Sequence, residues 1–444
     1  MNKILFYLIA LLICANFQVK ADSPLGKNLQ KKYHTMSSDE QTIVIIYLSD
    51  KGDIKNYKNI QANAFLTDRS IKRRLKTRQP NNLIDERDYP LNNSYVSLIE
   101  KNVIKVRHHL KWFNAVTALV NKNQIENLRT FPFVKEIELV GRWRKNKDSE
   151  IEKPIKDEPP RTRSNTSFDY GTSFTQVNQI NVPTVHDKGI YGQGIIVGVF
   201  DNGFRILNHE SFASMNIIAQ YDFVDHKESV IPYNPSHGGH GVNTLSTIGG
   251  FKQGQLIGPA FGADFILART ENDSSETPIE EDNWAAAIEW ADSIGVDVTS
   301  TSLGYLTYDP PYTSWTWEDM DGNTTLITKA ADHAVSLGIV VVNSAGNSGY
   351  NAEHNTLNGP ADGDSVITAG AVTSTGARAT FSSVGPTTDT PPRIKPDIMA
   401  MGQGVKVASS SNPTGYGTAN GTSFSCPLSA GVAALVLCAN PTLT

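Results

Sequence analysis

The sequence predicts an α/β protein, a doubly wound parallel-sheet domain over residues 167–444 preceded by a small α+β domain. Two patterns carry this. In the later part, short runs rich in β-branched residues (Ile195 to Phe200, Phe265 to Ala268, Val296 to Ser300, Ile339 to Asn343, Val366 to Ala369) alternate with helical stretches (His240 to Ile248, Pro278 to Ser293, Thr325 to Leu337). Continuous apolar strands separated by helices read as a parallel sheet buried on both faces. In the earlier part, strands and helices are shorter and closer together. Charge divides the chain at the same place. Residues 22–165 carry 28 Lys+Arg against 18 Asp+Glu, and residues 166–444 carry 10 against 27.

Taken in order, residues 1–21 have the form of a secretory signal: Lys3, an apolar core from Ile4 to Ile13, and Val19-Lys20-Ala21 as a small-residue cleavage site. The apolar run is too short to span a bilayer, and no later segment is expected to reach that length. A secreted, extracellular protein exported by its signal peptide (bacterial export), with no membrane span, is the expectation. Cys14 leaves with the signal. Cys426 and Cys438 fall twelve residues apart on one expected helix, about 18 Å at 1.5 Å per residue, beyond disulfide reach. Both read as buried packing residues.

Residues 22–145 contain strands at Thr42 to Leu48, Val103 to His109, Phe113 to Val120 and Val134 to Val140, with helices at Tyr95 to Lys101 and Lys122 to Thr130. That rhythm suits a ferredoxin-like fold. Asp68 to Arg78 is strongly basic. Its ordinary reading is a solvated helix face. Nucleic-acid binding competes weakly, because no zinc-finger or RNA-binding signature accompanies the cluster. Residues 146–166 are polar, charged and Pro-containing, an exposed linker of the kind where chains are nicked.

In the second domain, chemistry-bearing residues follow strands, where parallel sheets place ligands. Ile195 to Phe200 ends at Asp201-Asn202-Gly203, which by itself is an ordinary turn former. His240-Gly241-Val242 opens a helix after a Gly-rich turn, with His237 in Ser236-His237-Gly238 as a rival. Val296 to Tyr305 contains Ser302-Leu303-Gly304, and Val340 to Asn347 ends in Ala345-Gly346-Asn347. Asn420-Gly421-Thr422-Ser423 leads into a helix of small, apolar residues. A Ser there faces orphan N–H groups and the positive end of the helix dipole.

These stretches resemble the motifs of the subtilisin-like serine proteases (subtilases, the S8 family): G-T-S-x-[AS]-x-P at Gly421 to Pro427, H-G-[TV]-x-x-x-[GS]-T at His240 to Thr247, and V-x-x-A-G-N ending at Asn347. Gly258 to Ala263, Phe381 to Pro386 and Ile394 to Ala400 add further matches. The resemblance implies an Asp201, His240, Ser423 triad. It also implies an oxyanion hole from the Asn347 side chain and the Ser423 N–H, and a substrate-binding edge at Ser302, Leu303 and Gly304. His240 is preferred to His237 because it puts Gly241, Ser246 and Thr247 in register. The resemblance further implies protein or peptide substrates. Residues 22–145 become an inhibitory prodomain acting as intramolecular partner and chaperone, with the maturation cut inside 146–166, near 161–168. No cofactor is implied. Structural calcium is an open expectation without assignable ligands, and Asp362-Gly363-Asp364 reads first as a solvated turn.

Alternatives stand beside this reading. A truncated, catalytically incompetent subtilase could serve as an exported binding module. An α/β-hydrolase esterase would need G-x-S-x-G and the order Ser, acid, His, which the chain lacks.

Overall fold

The computed structural model describes residues 25–57, 60–140, 153–154, 166–272, 280–306 and 315–444. The expected signal peptide and most of the expected linker lie outside these residues. The chain divides into two compact units. One takes residues up to Gly52, Leu91–Arg107 and Phe113–Leu139; the other takes Asp53–Pro90, His108–Trp112 and Val140–Thr444.

The first unit is a four-stranded sheet of β1 (Gln41–Leu48), β2 (Lys105–Leu110), β3 (Ala115–Asn121) and β4 (Val134–Leu139), in the order β2-β3-β1-β4. β1 is antiparallel to both β3 and β4, with Val44 opposite Ala118 and Ile46 opposite Ile137. Alternation puts Val44, Ile46, Leu48, Val116, Ala118 and Val120 into one core with Val96 and Ile99 of the Asn93–Glu100 helix and Ile125 and Leu128 of the Lys122–Arg129 helix. Asn92 caps the first helix, accepting the N–H groups of Ser94 and Tyr95. Asn121 and Gln124 form a capping box on the second. The strand order is that of the expected ferredoxin-like fold.

Two parts of the expected prodomain pack elsewhere. Residues 53–90, between β1 and the first covering helix, and His108–Trp112, from the end of β2, belong to the second unit. The first of them carries the Asp68–Arg74 helix. The expectation of a solvated basic face fails at its centre: Arg73 is 2% exposed and Arg74 0%.

The strands of the second unit are β5 (Lys153–Pro154), β6 (Ile196–Asp201), β7 (Asn216–Asp222), β8 (Phe251–Lys252), β9 (Leu256–Ile257), β10 (Asp264–Arg269), β11 (Val298–Thr301), β12 (Val340–Ser344), β13 (Ile367–Val372), β14 (Ile398–Met401), β15 (Gln403–Ala408) and β16 (Tyr416–Asn420). Seven form one parallel sheet, ordered β14-β13-β12-β11-β6-β10-β7. Val197 and Val199 point into a core shared with Val242 and Leu245 of the Gly239–Gly249 helix and Cys426, Ala430 and Ala434 of the Thr422–Ala439 helix. Phe200 points the other way, edge-on to Trp284 of the Glu280–Ile294 helix. That helix packs beside the Leu326–Ser336 helix. The sheet is thus covered on both faces, as a doubly wound fold requires.

Four expectations need correction. Lys153 and Pro154, read as linker, pair antiparallel with Thr418 and Gly417 of β16, because the outer edge of a strand offers unpaired N–H and C=O groups. The Thr422–Ala439 helix is long and apolar enough to cross a membrane by length and composition, yet 72% of it is buried inside the domain, where its small side chains pack the core. Cys438 is only partly buried, unlike Cys426. Asp362 is fully buried, accepting hydrogen bonds from Thr328 Oγ1 (2.8 Å) and Gly322 N (2.8 Å), so it is no solvated turn. Among the described residues, no group of three or more His, Cys, Asp or Glu is placed to hold a metal ion.

Candidate active site

The site forms at the C-terminal edge of the parallel sheet. β6 ends in Asp201, which is fully buried. A buried carboxylate needs hydrogen bonds, and Asp201 has several. Asn202 N donates to Oδ1 at 2.8 Å, Thr244 Oγ1 donates to Oδ2 at 2.9 Å, and His240 Nδ1 stands 2.7 Å from Oδ1. Facing a carboxylate, Nδ1 carries the proton, which leaves Nε2 as the basic nitrogen of neutral His240.

Local chain geometry places His240. Gly238 enters the helix at φ 73°, a left-handed conformation that glycine adopts without cost. Gly241 lies against the turn after β6: a Cβ there would stand 2.2 Å from Gly203 O. The small residue lets the helix start close enough for His240 to reach Asp201. His237 goes elsewhere, its Nε2 lying 3.0 Å from Asn234 Nδ2.

Ser423 occupies the first turn of the Thr422–Ala439 helix, after Gly421 at φ 147°. The Phe424 ring packs 5.8 Å from the His240 imidazole, centroid to centroid, so this helix start and His240 are neighbours. Pro427, one turn on, has no N–H to give to the Ser423 carbonyl. Ser302 Oγ donates to that carbonyl instead, at 2.7 Å, and Ser423 Oγ donates to Ser302 O at 3.1 Å.

Asn347 Oδ1 accepts from Thr422 N (2.9 Å) and Thr422 Oγ1 (3.0 Å). With its oxygen turned to the helix start, the amide presents its NH₂ on the opposite side. Gly346, at φ 105°, donates its N–H to Thr422 Oγ1 at 3.2 Å. The turn after β12 and the Thr422–Ala439 helix are therefore tied together through Thr422.

Ser302, Leu303 and Gly304 are all buried. Leu303 O accepts from Asn343 Nδ2 at 3.1 Å, and Tyr305 pairs with Gly359 through reciprocal bonds of 2.9 and 3.1 Å. A residue that the motifs did not single out joins them. The Asn358 amide fills the space a Cβ on Gly304 would take, and its Oδ1 is buried with no hydrogen-bond partner among the described residues. Thr244 was likewise unmarked by the motifs, although its hydroxyl holds Asp201; Thr422, the Thr of the G-T-S motif, holds Asn347.

Cys426 lies beneath Ser423, its Sγ within 3.4 Å of Thr301 O and 3.5 Å of Val342 O. Burial pushes its thiol up to about 12, so it stays a protonated packing group rather than a thiolate nucleophile. Residues 307–314, which follow the 302–304 edge in the chain, lie outside the described residues.

The chain is similar to known proteins. The model of the Subtilase family matches residues 192–444, and that of the Peptidase S8 propeptide domain, Bacteroidota, matches residues 43–154. Subtilisin NAT of Bacillus subtilis subsp. natto is 30% identical over 343 residues, 77% of this chain and 74% of that protein. Subtilisin DY of Bacillus licheniformis is 32% identical over 266 residues, 60% of this chain and 84% of its own. A crystal structure of a cold adapted subtilisin-like serine proteinase shares 30% identity, covers 57% of this chain and 79% of that one, and has a TM-score of 0.45. The chain belongs to the subtilase family of serine peptidases, with an S8 propeptide domain ahead of its peptidase domain.

Proposed function

We propose that the chain is a secreted serine endopeptidase made as a self-processing zymogen, working through Asp201, His240 and Ser423. The observation that carries this is the His240 Nδ1 to Asp201 Oδ1 contact of 2.7 Å, on the imidazole beside the first turn that bears Ser423. Ser423 Oγ attacks the scissile carbonyl. His240 Nε2 takes the proton and later gives it to the leaving amine, while Asp201 orients the ring and stabilises the imidazolium. The tetrahedral oxyanion is met by the Asn347 amide NH₂ and the Ser423 N–H at the positive end of the helix. The propeptide domain is the first inhibitor, and the cut that separates it falls in residues 146–166.

Casein hydrolysis by the secreted chain, blocked by a serine-directed organophosphate, tests the activity. In Ser423→Ala both hydrolysis and the cut should disappear, leaving one chain of full length after signal removal. Near-normal turnover in that variant overturns the assignment, and no turnover in the parent favours the exported binding module.

A further inference from the structure

The buried part of the propeptide grips the sheet at the edge remote from the nucleophile. The Asp68–Arg74 helix abuts the C-terminal ends of the Glu280–Ile294 and Leu326–Ser336 helices. There Gly295 (φ 99°) and Gly338 (φ 87°) turn the chain, and a Cβ on either would stand about 3 Å from Arg69 or Arg73. Helix C-termini leave carbonyls without partners and carry the negative end of the dipole. The propeptide supplies the donors. Thr67 Oγ1 donates to Ile294 O at 3.0 Å, and Arg69 Nε to Gly295 O at 3.1 Å. Arg73 donates to Val296 O (2.7 Å) and Leu337 O (3.2 Å).

Carboxylates complete the socket. Asp292, fully buried, is paired with both Arg73 and Arg74. Arg74 also makes a two-pronged pair with Asp88, at 2.7 and 2.9 Å, and Arg69 pairs with Asp297. Planar guanidinium groups suit such two-pronged contacts. Three cations thus meet two acidic side chains and two helix ends, and Asp88 of the propeptide closes the network.

Position gives this contact its meaning. Asp297 directly precedes β11, and Gly194 O, held by Arg69 at 2.6 Å, precedes β6. β6 is six residues long, so at about 3.3 Å per residue the socket lies roughly 15–20 Å from the edge that carries Asp201. An anchor there leaves the catalytic edge free.

We infer that residues 53–90 are a latch, with Arg73 and Arg74 seated on Asp292, that holds the propeptide on the peptidase domain independently of the substrate cleft. The inference rests on the zymogen reading above.

The test uses the full chain carrying Ser423→Ala, so that no self-cleavage intervenes, nicked by brief trypsin treatment. Cuts are expected within residues 141–165 and none after Arg73 or Arg74, with the fragments co-eluting on size exclusion. Arg73→Met/Arg74→Met in the same chain should weaken association on the order of 10²- to 10³-fold, as breaking a buried pair from one side does. Asp292→Asn should do the same from the peptidase side, which guards against misfolding of either variant. Fragments that stay together equally in both variants, cutting of the parent after Arg73 or Arg74 as fast as in the linker, or separation of the parent fragments each overturns the latch. The assay reads association rather than hydrolysis, so failure of the parent chain to digest casein is a separate result.

Discussion

Ser302 and Ser423 are bonded to each other twice, each hydroxyl donating to the other's carbonyl, at 2.7 and 3.1 Å. The relation follows from Pro427. A helix that needs a nucleophile in its first turn and a proline one turn later leaves the Ser423 carbonyl without an N–H, and a loop 121 residues away supplies the missing donor. Likeness to the subtilases marks residues 302–304 as substrate-binding. In the structure, Ser302 also holds the helix turn that bears Ser423.

Ser302→Ala should therefore act on both stability and turnover. A buried carbonyl left without a donor costs about 1–3 kcal/mol. Urea unfolding should register a loss of that size, and kcat should fall more than KM changes. Unchanged stability with only a raised KM would restrict Ser302 to substrate binding.

Asn347 has its oxygen committed to Thr422, so the donating side of the amide carries its part in catalysis. Asn347→Leu should lower kcat by about 10²–10³-fold with KM little altered. That scale is the known value for the corresponding donor in subtilisin, carried across to this chain by family likeness. A loss expressed mainly in KM would mean that Asn347 binds substrate in the ground state.

The two histidines separate cleanly. His240→Ala removes the group against Asp201 and should abolish hydrolysis. His237→Ala removes the contact with Asn234 and should leave kcat/KM within roughly ten-fold. A dead His237→Ala enzyme with a folded spectrum would reverse the assignment.

Much of this site is readable from the sequence because its signals are local. A strand ending in Asp201, glycines bracketing His240 and a glycine before Ser423 are each short patterns with a geometric cause. Both His237 and His240 are followed by a glycine, so the choice between them rests on register: His240 puts Gly241, Ser246 and Thr247 in place, whereas His237 puts Asn243 where a small residue is expected. What stays hidden depends on distant partners. The Arg74–Asp292 pair spans 218 residues, so no local pattern tells a buried Arg from a solvated one. β7 mixes polar and apolar residues and is mostly half-buried or exposed, and β14, Ile398-Met399-Ala400-Met401, is apolar but only four residues long. The first is broken by polar residues and the second is too short to stand out by itself. Asn358 enters the substrate edge through a turn whose course only the fold sets.

Two buried groups should make the acid stability of the chain informative. His333 is held down to about 4, first by burial and then by the Arg87 and Arg78 guanidiniums, against the opposing pull of Asp85 and Asp88. Arg87 Nη1 lies 2.5 Å from its Nδ1, the Trp112 ring stands edge-on, and Ser336 Oγ is 3.2 Å away. Asp362 is pushed up to about 6, first by burial, with Asp321 adding to it and the Thr328 and Gly322 hydrogen bonds opposing. For His333 the unfolded chain takes up the proton first, so stability is fully present above pH 6.5 and is lost as pH falls toward 4. For Asp362 the folded chain takes it up first, so stability is present below pH 3.8 and is lost as pH rises through 6. Each effect is on the order of 3 kcal/mol, and they oppose each other across one window. These two contributions should therefore nearly cancel in the Ser423→Ala chain between pH 4 and 6.5. Adding His333→Gln should leave Asp362 unopposed, so that the difference in urea-unfolding stability, variant minus parent, rises as pH falls from 6.5 to 4. Adding Asp362→Asn should make the same difference fall. Parallel curves for parent and both variants would show that neither group titrates differently in the folded chain.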